Sequence, residues 1–217
     1  MIVTVFGDVH GNLVALEKLF QIEKDDTDLF ISHGDIVNYG PWSNECVAFL
    51  NKIPNIKLLK GNHEEFFIAG EYEGKNEVAQ AFFQFCYPKF DAELINNISN
   101  FDDHISVGDY TIRHTLGNQY IFADTNIENL EIETNYMFGH SHQQFKRDKN
   151  SYFLYNTGSI GQNRSLLNLS CYLKYDTDKN TVEMKSFVHD IGKVIQEMES
   201  QNYPQICLDY YKSKKLF

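Results

Sequence analysis

Five short polar clusters in this chain carry side chains that could hold a metal ion, and each follows an apolar run. Ile2-Val3-Thr4-Val5-Phe6 leads into Gly7-Asp8-Val9-His10, and residues 28–32 lead into His33-Gly34-Asp35. Residues 56–59 precede Lys60-Gly61-Asn62-His63-Glu64, residues 110–113 precede His114, and residues 136–138 precede Gly139-His140-Ser141-His142. Each cluster alone reads more readily as a turn than as a site, because Gly, Asp and Asn are turn formers. Their succession at strand ends points to a site, since ligands of open α/β sheets bind just past the carboxyl ends of strands. Carboxylate, imidazole and an amide oxygen suit Mn²⁺, Fe or Zn²⁺ better than Ca²⁺ or a thiolate-loving ion. They are too many for one tetrahedral zinc. Two ions about 3.5–4 Å apart, sharing one carboxylate, would use them all.

The elements that must position these groups alternate in the first half. Residues 2–6, 28–32 and 56–59 read as strands. Between them, 12–23 and a segment starting at Ser43 have helical spacing, with Asn12 and Ser43 as candidate N-caps. Two such βαβ units predict a parallel sheet. Residues 63–98 look helical, with a break at Pro88. Strands then dominate: 105–107 and 110–114 flank a Gly108-Asp109 hairpin turn, followed by 136–138, 151–155, 170–175 and 181–188. Residues 191–200 form an amphipathic helix and 212–215 a solvated tail. The expectation is one domain over 1–217 with two sheets, and 66–100 as a helical, cap-like insertion.

The formal net charge of −11 argues against a partner held by a broad basic surface, so neither extended nucleic acid nor an anionic membrane is expected. No apolar stretch is long enough to span a membrane. The four cysteines, Cys46, Cys86, Cys171 and Cys207, form no CxxC and read as reduced thiols of a cytoplasmic protein.

Taken together, D-x-H, G-D, G-N-H-E, a lone His and G-H-x-H resemble the signature of the calcineurin-like metallophosphoesterases, over Asp8 to about Arg164. That resemblance implies a four-layer α/β/β/α sandwich of two mixed sheets flanked by helices. It implies one ion on Asp8, His10 and His142, a second on Asn62, His114 and His140, and Asp35 bridging them. It gives His63 the catalytic role of protonating the leaving oxygen or stabilising charge. The ions would be divalent transition metals, Mn²⁺ foremost, with Fe, Zn²⁺ or Ni²⁺ as alternatives. They would turn a bridging water into a hydroxide that attacks phosphorus in line.

Departures from the pattern narrow the class. Ser/Thr phosphatases of this superfamily read G-D-x-V-D-R-G and L-R-G-N-H-E. Here Asn38 stands for the aspartate, and Tyr39 and Lys60 stand for the arginines. The chain looks more like the small bacterial and archaeal phosphodiesterases, in a branch often labelled diadenosine tetraphosphatase-like, with Thr157 where proline is usual and without obvious chemical effect. The leading expectation is hydrolysis of phosphodiester or phosphoanhydride bonds in small substrates, dinucleoside polyphosphates included. A phosphoprotein phosphatase and a metal-free interaction scaffold are the alternatives. Asn38, Tyr39 and Arg164 are candidate substrate contacts, Trp42 a core residue, and His33, His104 and His189 structural. Any oligomeric partner is left open by the sequence.

Overall fold

The computed structural model describes residues 1–117 and 119–217. The parallel unit forms as expected: β1 (Ile2–Phe6), α1 (Leu13–Glu23), β2 (Leu29–Ser32), α2 (Ser43–Leu50) and β3 (Ile56–Leu58). Helices α3 (Asn62–Ala69), α4 (Glu77–Cys86) and α5 (Ala92–Ser99) follow, with a 3₁₀ turn at Tyr87–Lys89 around Pro88. The later elements are β4 (His104–Val107), β5 (Tyr110–Arg113), β6 (Asn135–Phe138), β7 (Gln144–Lys149), β8 (Tyr152–Thr157), β9 (Leu169–Asp176) and β10 (Thr181–Val188), then α6 (Ile191–Ser200) and α7 (Gln205–Lys212).

The strands make two mixed five-stranded sheets, ordered β10-β9-β1-β2-β3 and β4-β5-β6-β8-β7. Strands β1, β2 and β3 run parallel, as do β5, β6 and β8. The period of two along β1 explains how the sheets stack. Val3 and Val5 join Ile112, Met137 and Tyr155 of the second sheet in one buried cluster. Phe6, on the opposite face, packs with Leu16 and Leu19 of α1, Val47 of α2, Val194 of α6 and Leu208 of α7. The outer face of the second sheet is covered by Leu116, Ile121, Ile127 and Ile132, which pack on Phe138, Phe145 and Leu154.

Two local readings change. Asn12 caps α1 as expected, its side chain accepting from Ala15 N at 3.0 Å. Ser43 does not cap α2. The N-cap is Trp42, and the Ser43 hydroxyl accepts from Asn38 N at 3.0 Å instead, fixing the loop beside β2. Lys214, in the segment read as a solvated tail, is half-buried.

His189 is structural, and its burial gives the fold a pH dependence. It is 4% exposed, with Nδ1 2.9 Å from Ser170 Oγ and Nε2 3.1 Å from Asn12 Nδ2. The Asn12 amide donates to Nε2, so a protonated ring would face a donor with a donor. Burial, helped by Lys18 against Asp190, lowers its pKa from 6.5 to about 4. The unfolded chain then binds the extra proton between those values, so stability falls as pH drops through that window. The loss levels off below it, at about 3 kcal/mol at most. Denaturant midpoints at pH 7 and pH 4.5 should differ less in His189→Gln than in wild type. An equal difference in both would remove His189 as the cause.

Candidate metal centre

All seven candidate ligands lie beyond the carboxyl ends of parallel strands: Asp8 and His10 after β1, Asp35 after β2, Asn62 after β3, His114 after β5, and His140 and His142 after β6. Ligating atoms of Asp8, His10, Asp35 and His142 fall within 4.8 Å of one another, and those of Asp35, His114 and His140 do the same. Asp35 is common to both groups. Its Oδ2 lies 3.8 Å from His10 Nε2 and 3.2 Å from His114 Nε2. Asn62 Oδ1 lies 3.0 Å from His114 Nε2.

The backbone at these positions is strained. Asp8 (φ 48°), His10 (φ 49°), Asp35 (φ 54°), His140 (φ 67°) and His142 (φ 58°) all occupy the left-handed region, which costs a non-glycine residue about 1–3 kcal/mol. Thus the candidate ligands themselves make the turns. Two of the glycines before them serve differently. Gly7 has no positive φ, but a Cβ there would lie 2.2 Å from the His33 ring, and one on Gly139 would lie 2.0 Å from it. His33 therefore occupies the space these two glycines leave, behind Asp8.

The donor set fits cations. His10 Nδ1 lies 3.3 Å from Val37 O, and His142 Nδ1 lies 2.7 Å from Gln162 O. Each carbonyl accepts the Nδ1 proton, which leaves lone pairs on both Nε2 atoms. Those atoms sit only 3.1 Å apart, and His142 Nε2 is 3.2 Å from Asp8 Oδ1, a buried oxygen with no hydrogen-bond donor. Lone pairs so converged repel unless a cation lies among them, and imidazoles oriented by carbonyls are usual around bound metals. At the other end, His114 Nε2 faces Asp35 Oδ2, Asn62 Oδ1 and His140 Nδ1 together, although one N–H can serve only one of them well. Burial lowers the His114 pKa but the Asp35 carboxylate outweighs it, pushing it up to about 9. The field at this point favours positive charge.

Three supporting residues escaped the sequence reading. Glu64 accepts from the backbone N–H groups of Asp35, Ile36, Val37 and Gly61 at 2.7–3.2 Å. It ties the loop carrying Asp35 to the start of α3, and its place three residues after Gly61 was the legible signal. Thr157, expected to be without obvious chemical effect, places its Oγ1 2.7 Å from His33 Nε2. Tyr120 stacks on His140 with ring centroids 4.0 Å apart.

His63 N donates to Asp35 Oδ1 at 2.9 Å, and His63 Nδ1 lies 2.9 Å from Asn38 Nδ2. Asn38 is fully buried and touches the histidine from behind. Asn62, His63 and His140 open onto a cavity of about 550 Å³ whose walls include Tyr39, Tyr120, Arg164 and Tyr210. Phe66, Tyr72 and Val78, from the segment expected to cap the pocket, line it too. Trp42 packs against the core, and His104 is exposed on β4.

The calcineurin-like phosphoesterase family model matches residues 1–144. Serine/threonine-protein phosphatase 2B catalytic subunit A1 of Saccharomyces cerevisiae is 33% identical over 82 residues, which cover 35% of this chain and 15% of the yeast protein. The match thus spans less than a fifth of that relative. A crystal structure of a metallophosphoesterase from Sphaerobacter thermophilus has a TM-score of 0.79 at 24% identity and covers 98% of both chains. The structure of a candidate diadenosine tetraphosphatase has a TM-score of 0.59 at 15% identity, over 85% of this chain and 93% of that one. At these identities the two structures are evidence for the fold alone.

Proposed function

The chain belongs to the calcineurin-like phosphoesterase family, and we propose that within it the protein hydrolyses phosphodiester or phosphoanhydride bonds of small anionic substrates, dinucleoside polyphosphates among them. The carrying observation is the pair of buried ligand groups that share Asp35. In this reading Asp8, His10 and His142 hold one divalent ion, Asn62, His114 and His140 hold the other, and Asp35 spans both. The thiol-free mix of imidazole, carboxylate and amide-oxygen donors suits Mn²⁺, Fe, Zn²⁺ or Ni²⁺, and Mn²⁺ is our first assignment. When bound, such ions supply a nucleophilic water at neutral pH and neutralise developing phosphoryl charge.

The chain's own residues do the rest. Glu64 holds the Asp35 loop in register through four backbone N–H groups. His63, on the cavity wall, gives a proton from Nε2 to the leaving oxygen as the imidazolium, with the Asn38 amide turned so that its otherwise unpartnered Oδ1 accepts from Nδ1–H. Tyr120 stacks on the His140 ring, and both side chains line the cavity. Arg164 is the one Lys or Arg among the described residues lining this cavity, suited to a substrate phosphate.

The local likeness to the yeast phosphatase subunit favours phosphoproteins as a second reading. The side chains at the two departing positions weigh against it. Tyr39 packs edge-on to His10 and His63, and Lys60 is paired with Asp103 at 3.1 Å, so neither offers a free cation to a phosphoryl group. No described helix is long and apolar enough to cross a membrane. Four buried free thiols suit a reducing compartment, so we assign the protein to the cytoplasm.

Protein loaded with Mn²⁺ is expected to hydrolyse bis-p-nitrophenyl phosphate, and EDTA to abolish turnover until metal is restored. Absence of activity with every divalent metal tried would overturn the proposal. Faster release from a phosphopeptide than from any diester or dinucleotide would favour the second reading.

A further inference from the structure

We propose that Arg164, Lys214 and Lys215 form a second anion subsite, continuous with the catalytic cavity, that takes a distal phosphate group of a polyphosphorylated substrate. The proposal rests on the reading of the first cavity as the reaction site, and it names the substrate feature that site would select.

Beside that cavity lies another of about 530 Å³, lined by Arg164, Ser165, Leu166, Ser213, Lys214 and Lys215. Arg164 lines both. The chain has 30 acidic and 19 basic residues, so three cations gathered without an acid partner stand out. None of the three forms an ion pair among the described residues, and what sets them apart from the other unpaired cations is that all three line one cavity. Arg164 is itself a wall of the reaction cavity, and Lys214 sits behind another of its walls. Arg164 Cζ is 5.0 Å from the centroid of Tyr120, the ring stacked on His140. Lys214 Nζ is 4.2 Å from the Tyr210 ring, which lines the same cavity. An anion bound through the metal centre would therefore meet Arg164 first and the two lysines beyond it.

The backbone holding these groups is fixed. Asn163 Oδ1 accepts from Ser165 N and Leu166 N, at 2.9 and 3.1 Å. Leu167 N donates to Lys215 O at 2.9 Å, tying the segment after α7 to this loop. The segments carrying the three cations are thus adjacent, and the three side chains line the same cavity. Burial and the neighbouring Arg164 guanidinium lower the Lys214 pKa. Close like charges gain most from an anion they share.

The test uses the metal-loaded protein with the double substitution Lys214→Gln/Lys215→Gln, and Lys215→Gln alone in case the pair perturbs Tyr210. For diadenosine tetraphosphate, KM should rise about tenfold in the double variant with kcat little changed. For bis-p-nitrophenyl phosphate, which has no distal phosphate, KM should move less than twofold. Inorganic tripolyphosphate should inhibit bis-p-nitrophenyl phosphate hydrolysis competitively, with its inhibition constant raised about tenfold by the double substitution, and orthophosphate should not discriminate. Equal KM shifts for both substrates would overturn the subsite. So would tripolyphosphate inhibition that is unchanged, or that is non-competitive and marks a separate anion site. If wild type hydrolyses neither substrate, the functional reading fails on its own. Tripolyphosphate binding by calorimetry, weakened or not by the double substitution, then still decides the subsite.

Discussion

Asp35→Asn is expected to lose most of its bound metal and at least about 10³-fold in kcat on bis-p-nitrophenyl phosphate. Asparagine fills the same volume and can keep the oxygen that accepts from His63 N, so the loop need not move. What it removes is the one negative charge common to both ligand groups. Oδ2 lies 3.2 Å from His114 Nε2 and 3.8 Å from His10 Nε2, a position from which one carboxylate can serve two ions. Burial opposes ionisation of Asp35, but the imidazoles of His114 and His63 outweigh it and hold the group well below the usual carboxylate range. A neutral amide leaves the His114 imidazole, which the carboxylate favours in its charged form, without a counter-charge in a buried site. Metal content by elemental analysis should fall from two ions per chain to one or fewer. Two retained ions with a normal rate would remove Asp35 from the bridging position.

The strand-end clusters were legible because their signal is local: an apolar run, a glycine, then a ligand type. The parallel order of β1, β2 and β3 followed from the same alternation, and Asn12 announced the start of α1. Other features were hidden for identifiable reasons. Strand β7 reads Gln-Phe-Lys-Arg-Asp-Lys, and among these residues only Phe145 is buried, so the hydrophobic signal of this edge strand is a single residue. Helix α7 carries Cys207, Leu208 and Tyr211 on its buried side but starts after Pro204 without a side-chain cap. Ser43 looked like a cap because its type and place fit; the nearby Asn38 N–H competed for its hydroxyl and won. Thr157 and His33 are 124 residues apart, and the 2.7 Å contact between them depends on two sheets facing each other. The same is true of Tyr120, Arg164, Tyr210 and Lys214, which come from three separate segments. Pairings of that range are a property of the packed fold, and no periodicity records them.

The glycines show how a correct residue choice can carry a different physical reason. Turn formation was the natural reading of Gly7. In the fold its lack of a side chain admits the His33 ring, while Asp8 and His10 take the left-handed backbone. That strain is maintained by hydrogen bonds such as His10 N to Asp35 O and Gly161 N to Asp8 O, both within 3.0 Å. A site built this way takes its shape from the chain's own hydrogen bonds, in keeping with catalysis by preorganised charge.

His63→Ala is the second substitution with a large expected effect, and it should separate catalysis from metal binding. The ring contributes no atom to either ligand group. Its Nδ1 is engaged by the Asn38 amide, and its body packs edge-on to His10 and Tyr39. Both ions should therefore remain, while kcat falls about 10²–10⁴-fold, the range typical of a lost general acid. The size of the loss should depend on the leaving group. p-Nitrophenolate departs without a proton, so bis-p-nitrophenyl phosphate should suffer least. An alkyl or nucleoside leaving oxygen needs the proton and should suffer most. Equal losses across leaving groups would mean that His63 stabilises phosphoryl charge instead. Loss of both ions would mean that it supports the metal centre itself, and the catalytic assignment would fall. Asn38→Ala offers a check on the same geometry: with the amide gone, the imidazole loses the partner that orients it. The rate should then drop in the same leaving-group order, by less than in His63→Ala, with metal content intact.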